Sequence, residues 1–400
     1  MVQERCNVCG KECVDSVFAF ADYPLVLRPI PDELVSFAEK QDIPRTVELD
    51  YVHCTQCGHV FLRTPLEERV ENALYSSFYE TYPASDIEET ATQAFVKAFR
   101  SCFERDGSPR RVLEIGCSDG GGLQALDGPG WELYGCDPSP RALKAQERGL
   151  NVKRDFFSPE LYSGLSFDVI CSRHVIEHIK NPFDFLEGQA RMLTQGGKLV
   201  IETPNGEFCM SRGLLDSFHP EHVSLFTIPS LDYLLGQLGF QIEYVDDRTQ
   251  NLIVCASRIA DSSPEKALKS NLDYASKLAV EFSETYSSWR NELQTHVTEL
   301  AESEESVAMW GAGSSGVRVL ALFPEIIERA VLVDRDESKQ GLRFYHLDKR
   351  VLPPVACKEQ DVDAIIISSQ YVDAICKDIR KLGVDSKILG ITPYVRWIDG

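Results

Sequence analysis

The sequence predicts an α/β protein of several parts, and three observations predict it. An apolar run at Val112–Ile115 leads into a glycine-rich turn, Gly116-Cys-Ser-Asp-Gly120. Two Cys-x-x-Cys-Gly turns stand near the N-terminus, and a second strand-and-glycine unit begins at Val307.

The first observation supplies the centre. Val112–Ile115 reads as a buried parallel strand that carries Glu114, and Leu123-Gln-Ala-Leu126 opens a helix behind the turn. Gly116 and Gly120 let the backbone approach a ligand where a side chain would clash, and the helix N-terminus presents unpaired N–H groups to something polar or anionic. A second run, Trp131–Asp137, ends in an acid about 20 residues after the turn, where a doubly wound sheet places a carboxylate for ribose hydroxyls.

Bulk properties narrow the classes. The 400 residues allow two to four domains, and no apolar run is long enough to span a bilayer, so no membrane partner is expected. The start, Met-Val-Gln-Glu-Arg-Cys, lacks an apolar signal core, and a cytoplasmic protein is expected. A net charge of −21 argues against a nucleic-acid partner. The 13 cysteines, most of them single in apolar runs, read as core residues or metal ligands in a reducing compartment. The oligomeric state is not legible.

Residues 1–70 read as a zinc-binding domain. Cys6, Cys9, Cys54 and Cys57 form two tight turns, each followed by a glycine that lets the backbone wrap the sulfurs, and together they make a closed tetrahedral site. So small a unit relies on its metal to fold. Cys13, His53 and His59 read as bystanders, since four cysteines already fill a tetrahedron. The tyrosine- and serine-rich stretch Asn72–Pro83 reads as an amphipathic linker or as a cover over a substrate.

Residues 71–258 follow as a single α/β domain. A helix is expected over Glu88–Arg105 and another over Pro140–Arg148. Strands are expected at Asn151–Phe157, Phe167–Ser172, Gly196–Glu202, Gln241–Val245 and Leu252–Ala256. Asp155 is either a helix cap or a neighbour of a bound base, with Phe156 beside it. Ser172 closes the fourth strand, and Arg173-His174-Val-Ile-Glu177-His178 lies where ligands of such sheets sit. The loop Phe218-His-Pro-Glu-His222 sets two histidines around a carboxylate in a chain with eight histidines, a pattern suited to proton transfer or to capping a loop.

Residues 259–306 read as a helical linker, and 307–400 as a smaller Rossmann-like domain. Gly311-Ala-Gly313-Ser-Ser-Gly316 is a GxGxxG turn, and Ala330–Asp334 gives the next strand and its acid. Either it binds a nucleotide, NAD included, in a redox or sensing role, or it has kept the turn and binds no dinucleotide.

Glu114-x-Gly116-x-Ser118-x-Gly120 resembles the first motif of the class I S-adenosylmethionine methyltransferases, although the family usually has glycine at position 118. The resemblance implies an α/β fold with a seven-stranded class I sheet, with Glu114, Gly116, Ser118, Gly120, Asp137, Asp155, Phe156 and Ser172 at the S-adenosyl-L-methionine site. The order of zinc unit, methyltransferase sheet and Rossmann-like domain resembles the sugar C-methyltransferases of deoxysugar biosynthesis over nearly the whole chain. That resemblance implies a small-molecule acceptor, a nucleotide-linked keto-deoxysugar, methylated on carbon through an enolate. Its motifs fall on His222 as general base, Glu221 as its partner, His178 after the fourth strand, and Tyr75 as a donor to the sugar; it also makes the zinc unit a scaffold for Tyr75. Two departures stand out: His219 where the family usually has an aromatic residue, and Asp247-Arg-Thr-Gln-Asn251 in place of a His-Gly-Gly stretch. O- or N-methylation of another sugar or small molecule would use the same donor site, and methylation of a sugar hydroxyl the same histidine as base.

Overall fold

The computed structural model describes residues 5–12, 14–78, 86–102, 110–259, 269–303, 305–326, 329–369, 371–392 and 395–398. Cys13 and residues 79–83 of the tyrosine-rich stretch lie outside them. The chain divides into two compact units, Met1–Val17 with Asp50–Phe282, and Phe18–Leu49 with Ser283–Gly400. Residues 18–49, read from the sequence as part of the zinc segment, therefore fold with the C-terminal unit.

The first unit is built on a seven-stranded sheet. Its strands in chain order are β1 (Arg110–Ile115), β2 (Trp131–Cys136), β3 (Asn151–Lys153), β4 (Phe167–Arg173), β5 (Leu193–Pro204), β6 (Phe240–Asp246) and β7 (Asn251–Arg258). Across the sheet they lie 3-2-1-4-5-7-6. β1 to β5 are parallel, and β7 pairs antiparallel with both β5 and β6. This is the α/β sheet, and the strand number, that the first motif implies. β1 is covered on both faces: Leu113 and Ile115 join one apolar cluster and Val112 another, which is why it reads as a continuous apolar run. Each such fully buried aliphatic side chain contributes about 1.5–3 kcal/mol.

The order reverses between β1 and β4, so a crevice opens beyond their carboxyl ends, where the connections out of β1 and β4 both emerge. The helix expected from Glu88 runs over Asp86–Ser101. It packs Phe95, Ala98 and Phe99 on the sheet face that also holds Val112, Val169 and Val200.

A small antiparallel sheet carries the cysteine turns. Thr46–Cys54 pairs with Val60–Leu62, and Val60–Leu62 pairs in turn with Ser224–Leu225, two residues after His222. The cysteine unit is thus stitched to the histidine loop by backbone hydrogen bonding.

The second unit has an eight-stranded sheet. Ala330–Val333, Val307–Trp310, Ala364–Ile367 and Lys387–Gly390 form parallel neighbours at its centre. Val307 and Met309 pack on one face, Ala308 and Trp310 on the other. Pro29–Ile30 adds an antiparallel edge strand beside Arg343–Phe344. A 34-residue helix, Lys269–Glu302, occupies most of the predicted linker.

Candidate active site

The glycine turn after β1 has the geometry of a ligand cradle. Gly116 and Gly120 take left-handed backbone angles (φ 76° and 81°). A Cβ on Gly116 would lie 2.4 Å from Val175 Cγ2, and one on Gly120 would lie 2.4 Å from Leu150 Cδ1. Ser118 is also left-handed (φ 50°), which is the physical reason glycine suits this position and serine is the departure. Its N–H donates to Asp137 Oδ2 at 2.9 Å, while Asp137 Oδ1 accepts from the Ser139 N–H at 2.9 Å. Asp137 at the end of β2 is therefore fixed against the turn.

Glu114 is 2% exposed and its Oε2 has no hydrogen-bond partner. Burial pushes its carboxyl up to about 7, against the pull of Arg173. Arg173 in turn bonds Glu202 through Nε at 2.7 Å and lies over the Phe95 ring. An orphaned buried carboxylate oxygen beside a glycine cradle fits a ligand bearing an ammonium group. Beyond β3, Phe156 is 56% exposed and meets Tyr75 edge-on at 6.4 Å. Asp155 beside it is exposed, and its Oδ1 accepts from the Phe156 N–H. Ser172, fully buried at the end of β4, has no partner for its hydroxyl.

A histidine cluster lies past the end of β4. The ring centroids of His178 and His222 are 4.9 Å apart, those of His219 and His222 are 3.6 Å apart, and Tyr75 is 6.0 Å from His178. His178 Nδ1 is 2.9 Å from the Glu221 carbonyl, and His222 Nδ1 is 2.9 Å from the Ser217 carbonyl. A carbonyl only accepts, so each Nδ1 carries the proton and each Nε2 keeps a lone pair. Burial, reinforced by His219 and His178, holds His222 well below the usual histidine range. It is neutral at pH 7. Burial, with Glu221 and Glu71 nearby, holds the Tyr75 proton well above its usual range, so Tyr75 stays a donor.

Glu221 was expected beside His222. The His222 ring is anchored through Nδ1 on the Ser217 carbonyl. Glu221 lines a cleft with Tyr75, Glu71, Lys180 and Pro220, in which Lys180 pairs with Glu71. Glu177 is fully buried, and one of its oxygens, a His178 nitrogen and a His222 nitrogen all lie within 4.8 Å of one another. Tyr51, fully buried in the cysteine-bearing sheet, donates toward the carbonyls of His219, at 3.0 Å, and His222. The Arg173–His178 segment signalled a pocket from sequence. Ser217 and Tyr51 gave no signal, because each acts through backbone carbonyls that any residue would carry.

The four expected metal ligands converge: Cys6, Cys9, Cys54 and Cys57 place their sulfurs within 4.8 Å of one another. Cys6–Cys57 and Cys9–Cys54 are each 3.5 Å apart. A tetrahedron of ~2.3 Å zinc–sulfur bonds has edges of about 3.8 Å, so the donor set and its size fit zinc. Gly10 and Gly58, directly after the turns, are left-handed (φ 72° and 71°). His53 and His59 instead meet the hydroxyls of Ser276 and Ser224.

The second glycine turn repeats the β1 arrangement. Asp334 Oδ2 accepts from the Ala312 N–H at 2.8 Å and Oδ1 from the Asp336 N–H at 2.9 Å, and Lys339 adds an ion pair at 3.0 Å. The acid expected to meet a ribose is already paired with a cation.

Residues 87–245 match a family model described as a methyltransferase domain, and residues 303–389 match one described as C2185-like, N-terminal. The chain is 24% identical over 339 residues to C-methyltransferase NovU of Streptomyces niveus, covering 80% of this chain and 78% of that protein. It is 34% identical over 119 residues to a ubiquinone biosynthesis O-methyltransferase of Caulobacter sp. (strain K31), where the match spans 26% of this chain and 46% of that protein. Among solved structures, magnesium protoporphyrin IX methyltransferase (ChlM) from Synechocystis PCC 6803 aligns at 15% identity and TM-score 0.37, covering 48% of this chain and 98% of that one. Among the described residues no helix is long and apolar enough to cross a membrane. The family match, the seven-stranded sheet and the glycine cradle together identify a class I S-adenosylmethionine-dependent methyltransferase domain, and the protein is an S-adenosylmethionine-dependent methyltransferase.

Proposed function

We propose that the enzyme methylates a carbon beside the ketone of a nucleotide-linked keto-deoxysugar. The observation that carries this reading is the pair of adjacent histidines, half-buried His178 and buried His222, each holding its Nδ1 proton on a carbonyl and leaving Nε2 as a base. The α-proton of a ketone is a weaker acid than a sugar hydroxyl, so methylation on carbon makes the greater demand on a neutral, positioned base. The similarity to a C-methyltransferase over 80% of the chain supports the same reading.

S-adenosylmethionine, when bound, supplies a methyl group already activated as a sulfonium. Glu114 would hold its ammonium group, the Gly116–Gly120 backbone and Asp137 its methionine and ribose portions, and Phe156 with Asp155 its base. His222 Nε2 takes the α-proton of the acceptor, the C–H electron pair becomes the enolate, and Tyr75 donates a hydrogen bond to the enolate oxygen. His178 shares the resulting positive charge. Zinc on Cys6, Cys9, Cys54 and Cys57 would be structural, holding the sheet that pairs with Ser224–Leu225.

The test uses donor labelled with carbon-13 in the methyl group and thymidine-diphosphate-linked 4-keto-6-deoxyglucose as probe. A product methyl bonded to carbon is expected. A methyl bonded to oxygen would keep the donor site and discard the enolate. No transfer to this probe or to other nucleotide-linked keto sugars, with the donor bound, would withdraw the acceptor assignment.

A further inference from the structure

The fully buried carboxylate nearest the proposed base is not the one beside it in sequence. Glu177 sits on a single 3-10 turn, Ile176–His178, directly after β4. Its Oε1 is 3.2 Å from His174 Nδ1, and its Oε2 accepts from the Thr203 hydroxyl at 3.1 Å. Both oxygens are thus held, and the carboxylate faces the nitrogens of His178 and His222 within 4.8 Å. Glu221 lends its backbone carbonyl to His178 and lines the cleft with Tyr75 and Lys180.

We propose that Glu177, held by His174, is the positioning carboxylate that stabilises the cation formed on the His178–His222 pair, the role that sequence adjacency gives to Glu221. This rests on the reading of His222 as the base. The balance is simple. When His222 Nε2 gains the α-proton, the cluster gains one positive charge, and a buried charge without a partner is costly. Glu177 supplies the compensating negative charge from within the fold.

His174 completes the device. It is a non-glycine residue in the left-handed region (φ 51°), and its side chain is 42% exposed while that of Glu177 is fully buried. Strain of this kind persists where surroundings over-determine it, and it clusters at functional sites. His174 thus reaches from a partly exposed position to the buried carboxylate and holds it in place. Among the described residues, His219 stands beside His222, Tyr75 beside His178, and Glu221 lines the cleft with Tyr75, whose proton its charge helps to hold. Glu202 stands 3.9 Å from His174 Nε2 and is already paired with Arg173.

The experiment uses the full-length, zinc-loaded protein and its Glu177→Gln, Glu177→Asp and Glu221→Gln variants. Two readouts are taken. Nitrogen-15 NMR of the histidine rings across pH follows the first protonation of the pair and needs no acceptor. Methyl transfer to the keto-sugar probe gives kcat and KM across pH. Removing a carboxylate beside an imidazole lowers the pH at which the ring takes a proton. Glu177→Gln is therefore expected to move the pair's protonation, and the acid limb of kcat, down by about one pH unit, to lower kcat about tenfold or more, and to leave both KM values within about twofold. Glu177→Asp should restore the limb at least in part, which a merely structural defect would not do. Glu221→Gln should leave the protonation in place. A shift in Glu221→Gln with none in Glu177→Gln overturns the proposal. So does line broadening of His178 and His222 by stoichiometric Mn2+, which would make the three groups a metal site instead. Full transfer in His222→Ala would sink the base reading itself; total loss in His222→Ala with an unchanged Glu177→Gln sinks only the present inference.

Discussion

Tyr51→Phe removes one oxygen atom far from the donor turn and tests whether the cysteine-bearing sheet positions the base. Tyr51 is fully buried and its hydroxyl serves the carbonyls of His219 and His222. Phenylalanine fills the same space, so the change is the lost donor and the His222 carbonyl left without it, about 1–3 kcal/mol, while the His219 carbonyl keeps the His222 N–H. That corresponds to roughly 5- to 150-fold in an equilibrium. The loop keeps other anchors: the Ser224↔Phe61 and Leu225↔Val60 pairs, and Phe218 stacked on Phe282 at 4.7 Å. The loop should thus loosen without being released. Urea denaturation should report the loss of stability. Transient kinetics of methyl transfer should show kcat falling about 5- to 50-fold, within that window, with the donor dissociation constant unchanged because the Gly116–Gly120 turn is untouched. A variant that loses the full stability yet transfers methyl at the parent rate would refute the idea that this hydroxyl aims His222.

Three further outcomes follow from the same geometry. Because burial pushes Glu114 up to about 7, its carboxylate forms only as pH rises through neutrality, so calorimetry should show donor affinity tightening from pH 6 to pH 8, and Glu114→Gln should flatten that dependence. Ser118→Gly relieves a left-handed serine and should raise stability by about 1 kcal/mol in denaturation experiments; an unchanged or lower midpoint would contradict the strain argument. Burial and the Arg45 guanidinium hold His346 down to about 3. The unfolded chain then takes up a proton near pH 6.5 that the folded one refuses, so stability falls as pH drops from about 6.5 toward 3, by about 2 kcal/mol at pH 5. His346→Phe should make stability measured between pH 7 and 5 less steep by about one proton.

What was legible in the chain was what is local. Gly116, Gly120 and Glu114 announce their strand and turn because conformation and burial are settled within six residues. Cys6, Cys9, Cys54 and Cys57 announce a four-sulfur cluster because two-residue spacings survive any intervening fold. The meeting of Glu177 with His222 was hidden, because it depends on the connections from β4 and β5 ending on one side of the sheet. The pairing of Val60–Leu62 with Ser224–Leu225 was hidden for the same reason: register between distant strands is set by what each buries.

The route of the chain has a consequence for any attempt to take the protein apart. It leaves the first unit after Val17, returns at Asp50 and leaves again after Phe282. A gene truncated at residue 282 would still encode Phe18–Leu49, including the Pro29–Ile30 strand, but not the sheet edge that strand completes. Such a fragment would display an orphaned strand to its neighbours in solution and would be prone to aggregate. An excisable catalytic piece would need both the tail and the excursion removed, with a short turn joining Val17 to Asp50. For the same reason, insertion or deletion at either crossing would disturb two folding units at once, and natural variation in length should concentrate elsewhere.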